Sequence, residues 1–220
     1  MLRRRSDSGQ AFPIYITVVA GLLFLAFAYF AVGQAAATRN GAQTAADAAA
    51  LAAAQDAREQ LRAGWLKVIL NPLEWAHYLD GRRFLEGAAC RKAEDFAARN
   101  GAEIVELNDC GRLVNGEEGF TVKVRTIGTV GESVIPGTEG RHAIARATAV
   151  IKPRCSFEAP KPKPEPTPEE TGKPDPKEND DAEDEKPILG LSCDGVPWTI
   201  DPKNPKLPSA ADLFIVRLAD

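Results

Sequence analysis

Histidine is nearly missing from this 220-residue chain, with His77 and His142 the only two. Neither stands at zinc-ligand spacing from a cysteine or a carboxylate, so no metal is expected. There is no C-x-x-C pair, G-x-S-x-G elbow, phosphate loop or glycine fingerprint. Ser156 and Ser192 each sit beside a cysteine without a partnered base in sequence. The expectation is a chain without catalytic residues or a cofactor, and therefore not an enzyme. Basic residues form no stripe interleaved with aromatics, which argues against nucleic acid as a partner. Charge, too, is missing over one long stretch: residues 8–38 carry none.

That uncharged stretch organises the chain. Residues 14–32 read IYITVVAGLLFLAFAYFAV, and their large apolar side chains sum to about −3 to −7 kcal/mol on a membrane-insertion scale. The full uncharged run, as a helix rising 1.5 Å per residue, is about 46 Å long, against a hydrocarbon core of about 30 Å. A helix starting near Phe12 therefore leaves the bilayer and continues to about Gly64 through alanine-rich, proline-free sequence. Pro13 is compatible because it falls in the first turn. The chain divides into a basic leader (residues 1–11), a transmembrane helix (12–33) and an alanine-rich helix (34–66). Arg3, Arg4 and Arg5 hold the leader in the cytoplasm, so the remainder is extracytoplasmic and lipid is a partner. A cleaved secretory signal ending at Ala35-Ala36-Ala37 is the weaker alternative, because the apolar run exceeds a signal's core.

In the second helix half, Ala42, Ala46, Ala49, Ala50 and Ala53 recur at spacings of three and four. Small residues at this spacing let another helix approach closely. Asp47 is the one charge in the alanine field, with Gln43 one turn before it. The expectation is association along this face, with Asp47 meeting Arg39 or Arg58 of a second copy. The bland alternative is that alanine-rich sequence is simply helical.

Residues 67–157 read as a small α+β domain. Asn71, Pro72 and Glu74 form an N-cap, N1 and N3 pattern for a short helix through about Leu79. Phe84, Leu85, Ala88, Ala89, Ala93, Phe96 and Ala97 recur at helical spacing, and Asn100-Gly101 stops that helix. Strands are expected over 103–107, over 120–127 with Phe120, Val122 and Val124 on one face, and over 142–151. In the last, Ile144, Thr148 and Val150 oppose a ladder of alanines. Turns are expected at Asn115-Gly116 and over 137–140. The fold class is thus α+β, a helix on an antiparallel sheet tethered to a membrane helix.

Residues 158–187 carry no aliphatic side chain larger than alanine and run from Lys-Pro repeats into Asp and Glu. Such a tract buries too little to fold and reads as a disordered, Pro-stiffened acidic linker, or alternatively as an acidic interaction segment. Residues 188–220 turn apolar again, and 213–218 has strand length, suited to rejoin the sheet or a neighbour. The four cysteines fall on the oxidising side and allow three connectivities. The favoured pairing is Cys90–Cys110, pinning the amphipathic helix, with Cys155–Cys193 spanning the linker.

The segments GQAFPIYITVVAGLLFLAFAYF and NGAQTAADAAALAAAQDA, over about residues 9–57, resemble the N-terminal region of TadE/TadG-like proteins. These are membrane-anchored minor-pilin or assembly components of the tight-adherence (Flp) pilus. The resemblance implies a pilin-like plan and other pilus-assembly proteins as partners through the N-terminal helix. It also implies prepilin-type processing between Gly9 and Gln10. One position departs: Ile14 stands where pilins of this class carry the Glu that pairs with a neighbour's N-terminal amine. A cell-envelope binding module on a single anchor, unrelated to pili, is the competing expectation.

Overall fold

The computed structural model describes residues 11–114, 116–131, 137–158, 187–203 and 205–219. Helix α1 (Ala11–Lys67) runs 57 residues without a break, about 85 Å at 1.5 Å per residue. Its environment changes along its length. Over residues 12–41 nearly all side chains are exposed, whereas Ala42, Ala46, Ala49, Ala50, Ala53, Leu61 and Trp65 are fully buried.

What buries them is the rest of the chain. Helix α3 (Glu86–Arg99) packs on α1 through Ala89, Ala93 and Ala97, and ends where Gly101 adopts φ +70°. It runs antiparallel to α1. Its start is tied to Gln60, while Gly101, just past its end, accepts a bond from Ile127 at the opposite end of the domain. The main sheet has the order β1-β3-β4-β8, and β2 also pairs with β3. Its strands are β1 (Ala102–Glu103), β2 (Cys110–Arg112), β3 (Glu118–Thr126), β4 (Ile144–Pro153) and β8 (Phe214–Leu218), and all pairings are antiparallel.

Alternation along β3 puts Phe120, Val122 and Val124 into the core, as a strand with one covered face requires. On β4 the inward ladder is Ala147 and Ala149, continued by Ile151, while Ile144 is 60% exposed. Alanine thus meets alanine at the junction of α1, α3 and sheet, which lets backbones pack closely. Gly119 on β3 extends that economy: an added Cβ would collide with the Ala149 carbonyl oxygen on β4.

A second, three-stranded sheet joins β5 (Cys155–Phe157), β6 (Ile188–Cys193) and β7 (Val196–Ile200). Trp75 links it to the end of α1: its ring lies 5.2 Å from Trp65 and 4.8 Å from Phe157. Helix α4 (Ala210–Leu213) then sets Leu213 and Phe214 into the core. The disulfides pair Cys90 with Cys110 and Cys155 with Cys193. The C-terminal segment returns to the sheet, since β8 pairs with β4.

Several expectations change. The helix read from Asn71 is a 3-10 turn (Pro72–Glu74) followed by the four-residue α2 (Ala76–Leu79), and the Asn71 side chain caps nothing. Phe84 and Leu85 precede α3 rather than belong to it. The strand expected over 103–107 stops at Glu103. Beyond it Glu106 and Asp109 close a reciprocal capping box around a 3-10 turn (Leu107–Asp109), leaving Val105 and Leu107 exposed. Asn115, Gly9, Gln10 and residues 159–186 of the acidic tract lie outside the described residues.

Candidate functional site: the apolar helix half and the domain it carries

The first half of α1 presents apolar side chains around its whole circumference. Ile14, Leu22, Phe24, Leu25, Phe27, Phe30 and Val32 are all more than half exposed. Water does not tolerate so continuous a surface on a folded monomer. The helix is long and apolar enough to cross a membrane. Thr17 keeps its hydroxyl satisfied by donating to Ile14 O at 2.8 Å, as a polar group in an apolar medium must.

The alanine face does something other than expected. Ala42, Ala46, Ala49, Ala50 and Ala53 have no exposed surface, because α3 and the main sheet cover them. The face is consumed inside the chain, and in this fold a second copy cannot reach it. The reason is complementarity: Ala89, Ala93 and Ala97 on α3 and Ala147 and Ala149 on β4 are equally small. Periodicity identifies a packing face but not whether the covering surface comes from the same chain.

Asp47 is half-buried and accepts from Gln43 Nε2 at 2.8 Å. It satisfies part of its demand locally, one turn away, rather than through Arg39 or Arg58. Arg58 instead lies 3.7 Å from Glu59. Gln43 also reaches the Arg146 carbonyl of β4 at 3.4 Å. With Thr148 and Leu218 they line an open cavity of about 330 Å³ where the domain first meets the helix.

The two histidines are far from any shared site. Exposed His77 sits 3.8 Å from Glu74, and His142 Nδ1 donates to the Thr126 carbonyl at 2.7 Å. Among the described residues no group of three His, Cys, Asp or Glu side chains is arranged to hold a metal ion.

Three contacts that position the domain on α1 were not read from the sequence. Gln60 Oε1 accepts from the Leu85 amide at 2.8 Å, and its Nε2 donates to the Leu85 carbonyl at 3.3 Å. The Trp65–Trp75–Phe157 stack is the second, and nothing in local pattern announces it. The third is a capping box at α4. The Ser209 amide and hydroxyl donate to Asp212 Oδ2 at 2.8 and 2.7 Å, and Asp212 N donates back to Ser209 Oγ at 3.2 Å. These bonds hold the Asp212 carboxyl below the ordinary carboxylate range. The S-x-x-D spacing at 209–212 was the available signal.

Fold and site together define a class: a small α+β domain built around the far half of one long helix, whose near half is fit to span a membrane. Residues 9–56 match the model of a family described as "Putative Flp pilus-assembly TadE/G-like". The matched segment covers the apolar half and the whole alanine face from Ala42 to Ala53, and it points to a role related to Flp pilus assembly. No curated protein and no solved structure matches the chain.

Proposed function

We propose that this chain is a membrane-anchored structural or assembly component of a tight-adherence (Flp-type) pilus or a related secretion apparatus. The observation that carries the reading is the continuity of α1. One uninterrupted helix supplies both the exposed apolar half and the buried spine of the domain. A displacement or tilt of the membrane half is therefore transmitted to the domain as a rigid lever. Arg3, Arg4 and Arg5 support a cytoplasmic N-terminus, and the two disulfides support an oxidising, extracytoplasmic setting for the domain. The work is structural rather than catalytic. Because the alanine face is occupied, neighbouring pilus proteins and lipid meet the chain along the apolar half, where Gly21 and Gly33 have open space around them.

Shearing surface appendages from cells and probing each fraction tests the reading. Recovery with sheared fibres supports a minor fibre subunit. Recovery in the membrane fraction alone supports an assembly factor. Release from both into the medium would sink the proposal. N-terminal sequencing refines it. A start at Gln10 indicates prepilin-type processing at Gly9, a start at Met1 indicates a plain anchor, and a start after Ala37 contradicts both.

A further inference from the structure

At the end of α1 far from the apolar half, a cleft of about 490 Å³ opens between the last helical turns and the loop leading to α3. Lys67 forms one wall; Tyr78, Arg82, Arg83 and Phe84 form the other. No carboxylate lines it. Gly64 lets the Tyr78 ring lie close against the helix, since a Cβ there would strike the ring. The Arg83 guanidinium lies 5.3 Å from the centre of that ring. The wall is held in shape: Gln60 clasps both polar groups of Leu85, and Gly81, at φ +81°, turns the chain into Arg82.

The cations of this cleft are poorly matched. Lys67 and Arg83 have no carboxylate partner among the described residues. Arg82 reaches Glu118 only at 3.6 Å, and Glu118 is already bound by Arg112 at 2.5 Å. Three positive charges lining one cleft repel one another unless an anion enters.

We propose that the cleft is a binding site for an acidic peptide, and that its occupant is the chain's own stretch 178–185. That stretch reads ENDDAEDE, with six acidic residues in eight and no basic one. It is the one dense block of negative charge in the sequence. Its placement in the chain suits the cleft. The described strand β6 begins at Ile188, three residues after Glu185, and pairs with β5, whose Phe157 ring stacks on Trp75. Tyr78 lies one helical turn beyond Trp75. Leu191 of β6 is the residue paired with Phe157, so the chain entering β6 at Ile188 starts within a few residues of the Trp75 contact. Ten residues back to Glu178 span up to about 33 Å at about 3.3 Å each. Docking would join the membrane-distal sheet to the end of α1 through charge, with Arg83 and Lys67 as the principal clamps.

Zero-length carbodiimide cross-linking of the full chain in detergent tests this, because an amide forms only where a lysine amine touches a carboxylate. The expected result is Lys67 joined to residues 178–185 several-fold more often than Lys92, Lys152 or Lys206, independent of protein concentration. Arg82→Ala with Arg83→Ala, checked for an unchanged disulfide map, is expected to lower the Lys67 yield several-fold. So is salt at about 0.5 M, where the screening length falls to a few ångströms. Equal yields at all these lysines, or a Lys67 yield untouched by the arginine substitutions, would overturn the assignment. Mixing isotopically labelled with unlabelled chains separates sources: cross-links predominantly between chains would show the cleft serving a second copy and overturn the same-chain form. None of these readings depends on whether the protein leaves the cell with pili.

Discussion

Cys155 and Cys193 face each other directly across the β5–β6 pair and are joined as a disulfide. They close a loop of sequence separation 38 that contains the whole acidic tract. The bridge therefore makes the second sheet independent of whatever the tract does. Without it, β6 would have to find β5 from the far end of a long, apolar-poor segment.

Loop-closure entropy gives about 4 kcal/mol for Cys155–Cys193 and about 3 kcal/mol for Cys90–Cys110, whose separation is 20. Replacing Cys155 and Cys193 by serine is expected to destabilise the domain by more than replacing Cys90 and Cys110. Denaturant unfolding of both double variants checks the order. Equal or reversed losses would indicate that native packing around the bridges, rather than loop length, sets their contribution.

Ala49→Leu inserts bulk into a junction where α1, α3 and the sheet already touch. The expected loss is about 1–3 kcal/mol of overpacking, seen in the isolated, detergent-solubilised chain as a lowered Tm. An Ala49→Leu protein with wild-type Tm but defective association would restore the view that this face serves a neighbour.

Gly119→Ala is expected to cost at the upper end of the same roughly 1–3 kcal/mol range. Its Cβ would meet the Ala149 backbone, which cannot rotate aside as a side chain can. Gly128→Ala, with no atom within 4 Å of its added Cβ, is the control. Thermal unfolding of the two variants side by side reads the difference.

Ser209→Ala removes the cap that lowers the Asp212 pKa, at a typical cost of about 1 kcal/mol. Asp212 has a depressed folded-state pKa, so its contribution is present above the ordinary carboxylate pKa and lost as pH falls through the folded value. The stability gap between wild type and Ser209→Ala is therefore expected to be wide near neutral pH and to narrow in acid. Unfolding curves at about pH 7 and about pH 3 measure it.

Leu23→Arg combined with Phe24→Arg sets about 5–7 kcal/mol of charge cost against the about −3 to −7 kcal/mol that favours insertion. Carbonate-resistant membrane association is expected to be lost, while a single Phe24→Arg leaves most of it. Retention of the double variant in the membrane fraction would mean that something other than this helix anchors the chain.

Composition alone marked the apolar half of α1, because a membrane-length run without charge needs no partner to be recognised. Local pattern was equally sufficient for the β3 alternation at Phe120, Val122 and Val124, and for the helix stop at Gly101. The cysteine pairing favoured among the three that the sequence allows, Cys90–Cys110 with Cys155–Cys193, is the one the structure shows. Fates set by contacts between distant segments were not legible. Ala46 and Ala49 look the same in sequence whether α3 or another subunit covers them, since small side chains carry no record of their neighbour. Leu107 is a local exception: it reads as part of a strand until the Glu106–Asp109 capping box, closed over a spacing of three, turns the backbone away. The cationic cleft arises only when Lys67 at the end of α1 is brought beside Arg82 and Arg83 by the Gln60–Leu85 clasp. Tertiary structure decided the alanine face and the cleft because both depend on contacts between residues more than a dozen positions apart, where no local periodicity reaches.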